Sequence, residues 1–281
     1  MKTFLTIAAS DSIGGAGIQA DIRTATLLGL YPTCALTAVT AQNSEGVADS
    51  ADVGCEMLRR QLECVLSDIR PDAVKIGLLP TAEAVKTVAG ILRDLRLPVI
   101  VLDPVLSPTL GAAFADDDVA DAIVRYLMPV VTLATPNRPE YDILCQRAGM
   151  PVENLCDILL KGGHPDPSET TESDECADRL IPRLPSGGNT ESGLLREIRV
   201  FRSKRIQTDN THGTGCVLSS AIASFIALGH PVEEAVARAK EFLFNALSRS
   251  RHLRFGKGYG PALSISEFSE HALTLTDTLK I

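Results

Sequence analysis

The chain is predicted to fold as α/β, with a mostly parallel sheet covered by helices on both faces. Three observations predict this. Short apolar runs alternate with segments of helical period along the sequence. The runs are mostly apolar, as strands buried on both faces require, with few polar residues inside them. Glycine-rich or polar turns close nearly every run, at the strand ends where open α/β sheets place ligands.

Residues 4–9 form the first expected strand; Ser10-Asp11 interrupts the run too soon for a secretory leader. The loop Ser12-Ile13-Gly14-Gly15-Ala16-Gly17 follows, and Ile18, Ile22, Ala25 and Leu28 then mark one face of a helix ending at Gly29. This loop has neither the dinucleotide glycine spacing nor a Walker A lysine. Its glycines either admit a small ligand close to the backbone or make a plain turn, with Asp11 as its cap. Strands are expected over residues 34–39, 73–76, 99–102 and 130–134, and helices over 57–66, 82–95 and 119–127. The strand ends carry Thr40-Ala41-Gln42-Asn43, Gly77-Leu78, Asp103-Pro104-Val105 and Thr135-Pro136-Asn137-Arg138-Pro139-Glu140. Asn137 and Glu140 suit a helix N-terminus. From 165 to 193 Pro, Ser, Thr, Gly and acidic residues dominate, which reads as a mobile polar surface insertion within a single domain spanning 1–281. Beyond it lie an expected strand over 198–201, helices over 214–228 and 232–250, and a glycine-rich loop over 256–261.

With 45% hydrophobic residues in 281, the chain can bury a sizeable core. Its net charge of −8 argues against nucleic-acid or membrane-surface partners. Seven cysteines, an odd number with no C-x-x-C pair, argue against a disulfide framework or structural zinc and favour a reducing cytoplasm.

The chemistry centres on Asn210-Thr211-His212-Gly213-Thr214-Gly215-Cys216, which runs straight into an apolar helical segment. A tight loop opening a helix directs several amides at one spot, where the helix dipole adds positive charge. The same field is expected to lower the pKa of Cys216 and favour a thiolate beside a bound phosphate. A glycine turn with a small core cysteine would give the same letters. Asp11, Asp21, Gln42, Asp103, Asn137, Glu140 and Lys161 join this loop as candidates, though each alone has a structural explanation. His164 and His212 read as hydrogen-bonded loop residues.

Seven blocks in order carry a resemblance: Ser10-Asp11-x-x-Gly14-Gly15-Ala16-Gly17-Ile18-Gln19-Ala20-Asp21, Thr37-Ala38-x-Thr40-Ala41-Gln42-Asn43, Lys75-Ile76-Gly77, Asp103-Pro104-Val105, Thr135-Pro136-Asn137-x-Pro139-Glu140, Lys161-Gly162-Gly163-His164 and Asn210 to Cys216. The sequence resembles the hydroxymethylpyrimidine/phosphomethylpyrimidine kinases of thiamine biosynthesis over almost its whole length. The resemblance implies a three-layer ribokinase-like fold and a homodimer. It also implies ATP-dependent phosphorylation, with Mg²⁺, of a hydroxymethylpyrimidine and then of its monophosphate. Gly213, Gly215 and Cys216 would be catalytic, with Cys216 the base for the substrate hydroxyl. Gln42, Ala16, Asp21, Leu78 and Val105 would line the pyrimidine pocket. Lys161, Thr208 and Thr214 would face the nucleotide, and Asn137, Glu140 and Asp103 would hold Mg²⁺, largely through water.

Four features depart from the family pattern: Ile13 in the glycine loop, Leu78 in place of Met, an Asn137–Lys161 interval that looks short by most of a helix, and the long 165–193 segment. Two rival readings follow, a pyridoxal or pyridoxine kinase and a ligand-binding homologue impaired in catalysis.

Overall fold

Side chains alternate across a strand, so a strand apolar on both faces must feed two cores. In the computed structural model, which describes residues 1–106, 117–162, 175–184 and 197–263, they do so. Leu5, Ile7, Ile76, Ile100, Leu102 and Ile158 pack on one face of the sheet; Phe4, Ala73, Val101, Leu133 and Leu159 pack on the other.

The first face is covered by α2 (Cys55–Asp68), α3 (Ala82–Leu95), α4 (Asp117–Ala122) and α5 (Arg138–Ala148), through residues such as Leu62, Val88, Val119 and Leu144. The second is covered by α1 (Gly17–Leu27), α6 (Thr214–Ala227) and α7 (Val232–Ser250), through Ala25, Ile222 and Val236. The sheet between them runs β3-β2-β1-β4-β5-β6-β7-β8-β9. Its members are β1 (Thr3–Asp11), β2 (Tyr31–Asn43), β3 (Gly46–Asp52), β4 (Ala73–Ile76), β5 (Ile100–Leu102), β6 (Leu133–Ala134), β7 (Asp157–Leu160), β8 (Glu175–Ile181) and β9 (Arg199–Lys204). The central six strands, from β2 to β7, are parallel, while β3, β8 and β9 join through antiparallel pairings at the two edges. The three-layer α/β architecture is the expected one.

Several local expectations are corrected. The second strand runs on to Asn43 and turns back as β3, which the sequence hides because Gly46–Asp52 is polar and mostly exposed. Of the strand expected over 130–134 only Leu133–Ala134 is strand, while Met128–Val130 form a 3₁₀ turn, since Pro129 has no N–H for a ladder. The helix expected at 119 begins at Asp117 and widens into a π turn over Ile123–Leu127. The 165–193 segment contains β8, hydrogen-bonded between β7 and β9; its remaining parts, 165–174 and 185–193, lie outside the described residues, as do Gly163 and His164. The interval from Asn137 to Lys161 holds α5, a helix of 11 residues opened by a capping box and closed by Gly149 in the left-handed region at φ 63°.

Candidate active site

Five of the six parallel strands deliver a polar group to their carboxyl ends: Asp11 from β1, Gln42 from β2, Asp103 after β5, Asn137 after β6 and Lys161 after β7. These side chains line one cleft of about 450 Å³, closed from the α6–α7 side by the loop 211–216. Strand order reverses at β1, with β2 on one side and β4 on the other, the place where such sheets leave a crevice.

The anion cradle is built by α6. Gly213 precedes the helix at φ 81°, a left-handed conformation, and a Cβ there would overlap the carbonyl oxygen of Gly15. The two loops therefore touch backbone to backbone. The first amides of α6 have no partner within the helix. Thr214 N–H bonds back to Thr211 O at 3.3 Å, and among the described residues those of Gly215 and Cys216 have no backbone acceptor, which leaves them suited to an anion. A Cβ placed on Gly215 would lie 3.2 Å from Asp103 Oδ2 and 3.4 Å from Lys161 Nζ, so the amides, a carboxylate and an ammonium meet at one point.

Cys216 lines this cleft, but its expected acidity is corrected. Burial pushes the thiol up to about 11; the Lys75 ammonium opposes the shift, while Asp21 and Asp103 add to it. The field of the helix start is outweighed by desolvation and two neighbouring carboxylates.

Asp21, expected in the pocket wall, is instead fully buried beneath the cleft. It accepts hydrogen bonds from Thr6 Oγ1 at 2.6 Å, Ser220 Oγ at 2.8 Å and Lys75 Nζ at 2.9 Å. Lys75, to which the sequence assigned no role, reaches the cleft from this pair. Burial works against its ammonium, yet Asp21, Cys216 and Asp103 hold its pKa above the usual lysine range. The other expected pyrimidine residues, Ala16, Gln42, Leu78 and Val105, do line the cleft. His212 does so too: its Nε2 lies 2.8 Å from Asp11 Oδ2 and 3.2 Å from Gln42 Nε2, tying the glycine loop to the amide.

At the other end, Lys161 donates to Asp103 Oδ1 at 2.7 Å and lies 3.9 Å from Glu140 Oε2. Thr214 lines the cleft nearby. Thr208 does not reach it; its hydroxyl accepts from Asn210 N at 3.1 Å and serves the turn. Asn137 Oδ1 accepts from Glu140 N at 2.9 Å, and Glu140 Oε2 accepts from Asn137 N at 2.8 Å. Burial pushes the Glu140 carboxyl up to about 7, with Lys161 opposing and Asp103 adding.

This donor set suits a hydrated dication better than direct ligation. Among the described residues no three His, Cys, Asp or Glu side chains are arranged to hold a metal, and the capping box already uses one oxygen each from Asn137 and Glu140. Two buried carboxylates nevertheless share a single lysine, and a hard cation with its waters would supply the charge they lack.

A parallel α/β sheet whose strand ends share a cleft with an open helix start suits a small-molecule kinase of the ribokinase-like class. Residues 11–263 match the family described as phosphomethylpyrimidine kinase, and the chain belongs to that family; it is a phosphotransferase. It is 38% identical over 270 residues to the hydroxymethylpyrimidine/phosphomethylpyrimidine kinase of Rhizobium meliloti (strain 1021), covering 92% of this chain and 94% of that one. The crystal structure of phosphomethylpyrimidine kinase from Clostridium difficile 630 is 31% identical, with a TM-score of 0.71 over 88% of this chain and 99% of that one. An ADP complex of Bacillus subtilis pyridoxal kinase is 29% identical, with a TM-score of 0.75 over 92% and 95% of the two chains.

Proposed function

We propose that this chain, as one kinase domain, transfers the γ-phosphoryl group of ATP to hydroxymethylpyrimidine and then to its monophosphate. The observation that carries the reading is the meeting of the α6 amides with Cys216, Asp103 and Lys161 in one cleft. Phosphoryl transfer asks mainly for positioning and charge neutralisation, which such a meeting provides. Ala16, Gln42, Leu78 and Val105 hold the ring; a side-chain amide both donates to and accepts from an aminopyrimidine edge. The amides of Gly213, Gly215 and Cys216 receive the migrating group, with Thr214 and Lys161 on the nucleotide phosphates. Asp103, Glu140 and Asn137 would hold Mg²⁺ through its waters, and the ion would supply neutralising charge at those phosphates. The Cys216 thiolate takes the hydroxyl proton; with the thiol at about 11 it is the minor form at neutral pH, and the Lys75 ammonium favours it.

A homodimer and a cytoplasmic location complete the proposal. The location is supported by the seven cysteines, all free. Among the described residues no helix is long and apolar enough to cross a membrane.

A second reading, phosphorylation of pyridoxal, is favoured by the likeness to the Bacillus subtilis enzyme. Turnover by the purified chain with MgATP on hydroxymethylpyrimidine, its monophosphate and pyridoxal separates the two. Turnover on both pyrimidines is expected, and much higher turnover on pyridoxal overturns the choice. Cys216→Ala is expected to lower kcat by roughly 10²-fold or more while pyrimidine affinity stays nearly constant.

A further inference from the structure

Lys161 sits where a regular ladder gives out. Strands β7 and β8 pair as Ile158↔Ile181, Leu159↔Leu180 and Leu160↔Arg179, and the pairing then stops. The N–H of Lys161 goes the other way, to Pro136 O at 2.9 Å, beyond the end of β6. The next N–H, that of Gly162, is taken by a side chain, Asp178 Oδ1 at 2.8 Å. The second carboxylate oxygen, Asp178 Oδ2, lies 2.6 Å from Lys240 Nζ, which reaches it from α7. Only glycine fits at 162, because a Cβ there would overlap the carbonyl oxygen of Ala177.

Asp178 is 5% and Lys240 8% exposed. A buried ion pair of this kind adds little stability over an apolar pair of similar size, so stability alone does not account for it. What the pair does give is orientation. It clamps the backbone one residue past Lys161, and the Lys161 ammonium emerges at the phosphate end of the cleft, 2.7 Å from Asp103.

We infer that Asp178 and Lys240 form a positioning pair that acts through the Gly162 N–H to aim Lys161 at the nucleotide. The inference rests on the reading of Lys161 as a nucleotide residue, and its test separates the two. Removing one partner alone leaves a buried charge unpaired, so the comparison uses two neutral double variants. D178N/K240M keeps an oxygen that accepts from Gly162, whereas D178L/K240M has none. If the leucine variant does not fold, D178A/K240M takes its place.

Calorimetric titration with MgADP is expected to show about tenfold weaker binding by D178L/K240M than by D178N/K240M, the worth of one hydrogen bond. Affinity for hydroxymethylpyrimidine should be the same in both. Repeated in a Lys161→Ala background, the two pairs should bind MgADP alike, because the residue they act through is gone. Equal MgADP affinity of the two doubles in the parent background, or a difference that survives Lys161→Ala, overturns the positioning pair. Unchanged MgADP affinity in the single variant Lys161→Ala instead overturns the reading of Lys161, and the positioning pair with it.

Discussion

Both carboxylate oxygens of Asp21 lie 2.9 Å from Lys75 Nζ, beneath the cleft and shut off from solvent. Hydroxyls of Thr6 and Ser220 occupy further lone pairs of the carboxylate. Asp21→Asn leaves the ammonium without its counter-charge, and a loss of about 3–5 kcal/mol in urea unfolding is expected. Asp21→Asn with Lys75→Met should recover most of that stability while turnover stays low, because the cation facing Cys216 is gone. Wild-type stability in the single Asp21→Asn variant would show that the pair is not buried as described.

The frame of this site was legible because its strands are mostly apolar and their ends are polar. Gln42, Asp103, Asn137 and Lys161 were found for that reason, and all four reach the cleft. Asp21 was misplaced because helical spacing gives a face and not a depth; what buries it is Lys75, 54 residues later in the chain. Asp178 escaped notice because its strand lies in a polar stretch. Its one sequence signal is the alternation Cys176, Asp178, Leu180, in which a carboxylate occupies an inward position. Lys240 follows from it only once α7 is known to reach Asp178. The Cys216 acidity was misjudged because a helix start is visible in sequence while the desolvation that outweighs it belongs to the packed state.

Gly215 tests the cradle itself. Alanine is a better helix former than glycine by up to about 1 kcal/mol, and the added methyl would lie 3.2 Å from Asp103 Oδ2, where a phosphoryl oxygen is proposed to sit. Gly215→Ala should therefore melt within a few degrees of the parent while kcat falls roughly 10²-fold. Unimpaired turnover would remove this helix start from the mechanism.

A thiol at about 11 sets the pH dependence of Cys216. Alkylation by iodoacetamide, followed by mass spectrometry on the peptide carrying this cysteine, is expected to be slow at neutral pH. Below that pKa it should quicken about tenfold per pH unit, in step with the thiolate fraction. If Cys216 is the base, kcat/KM rises with pH over the same range. A plateau in alkylation rate near pH 7 would mean the thiolate is already the dominant form and contradict the desolvated setting.

Asp11 governs the acid side. Its carboxylate accepts from the N–H groups of Ile13 at 3.1 Å and of Gly15 and Ala16 at 2.8 Å, and meets His212 Nε2 at 2.8 Å. Burial alone would raise its pKa, but the His212 and backbone hydrogen bonds outweigh burial and hold it below the usual carboxylate range. A carboxyl more acidic in the folded state favours folding at pH values above its unfolded pKa of about 3.9, and that contribution fades as pH falls through the folded value. Urea unfolding of the parent and of Asp11→Asn should differ most near pH 6–7, by about 1–3 kcal/mol for a buried group hydrogen-bonded as an ion. The gap should narrow steadily below about pH 4. A difference that is constant from pH 7 to pH 3 would show that the ionised carboxylate is not what holds the glycine loop against His212.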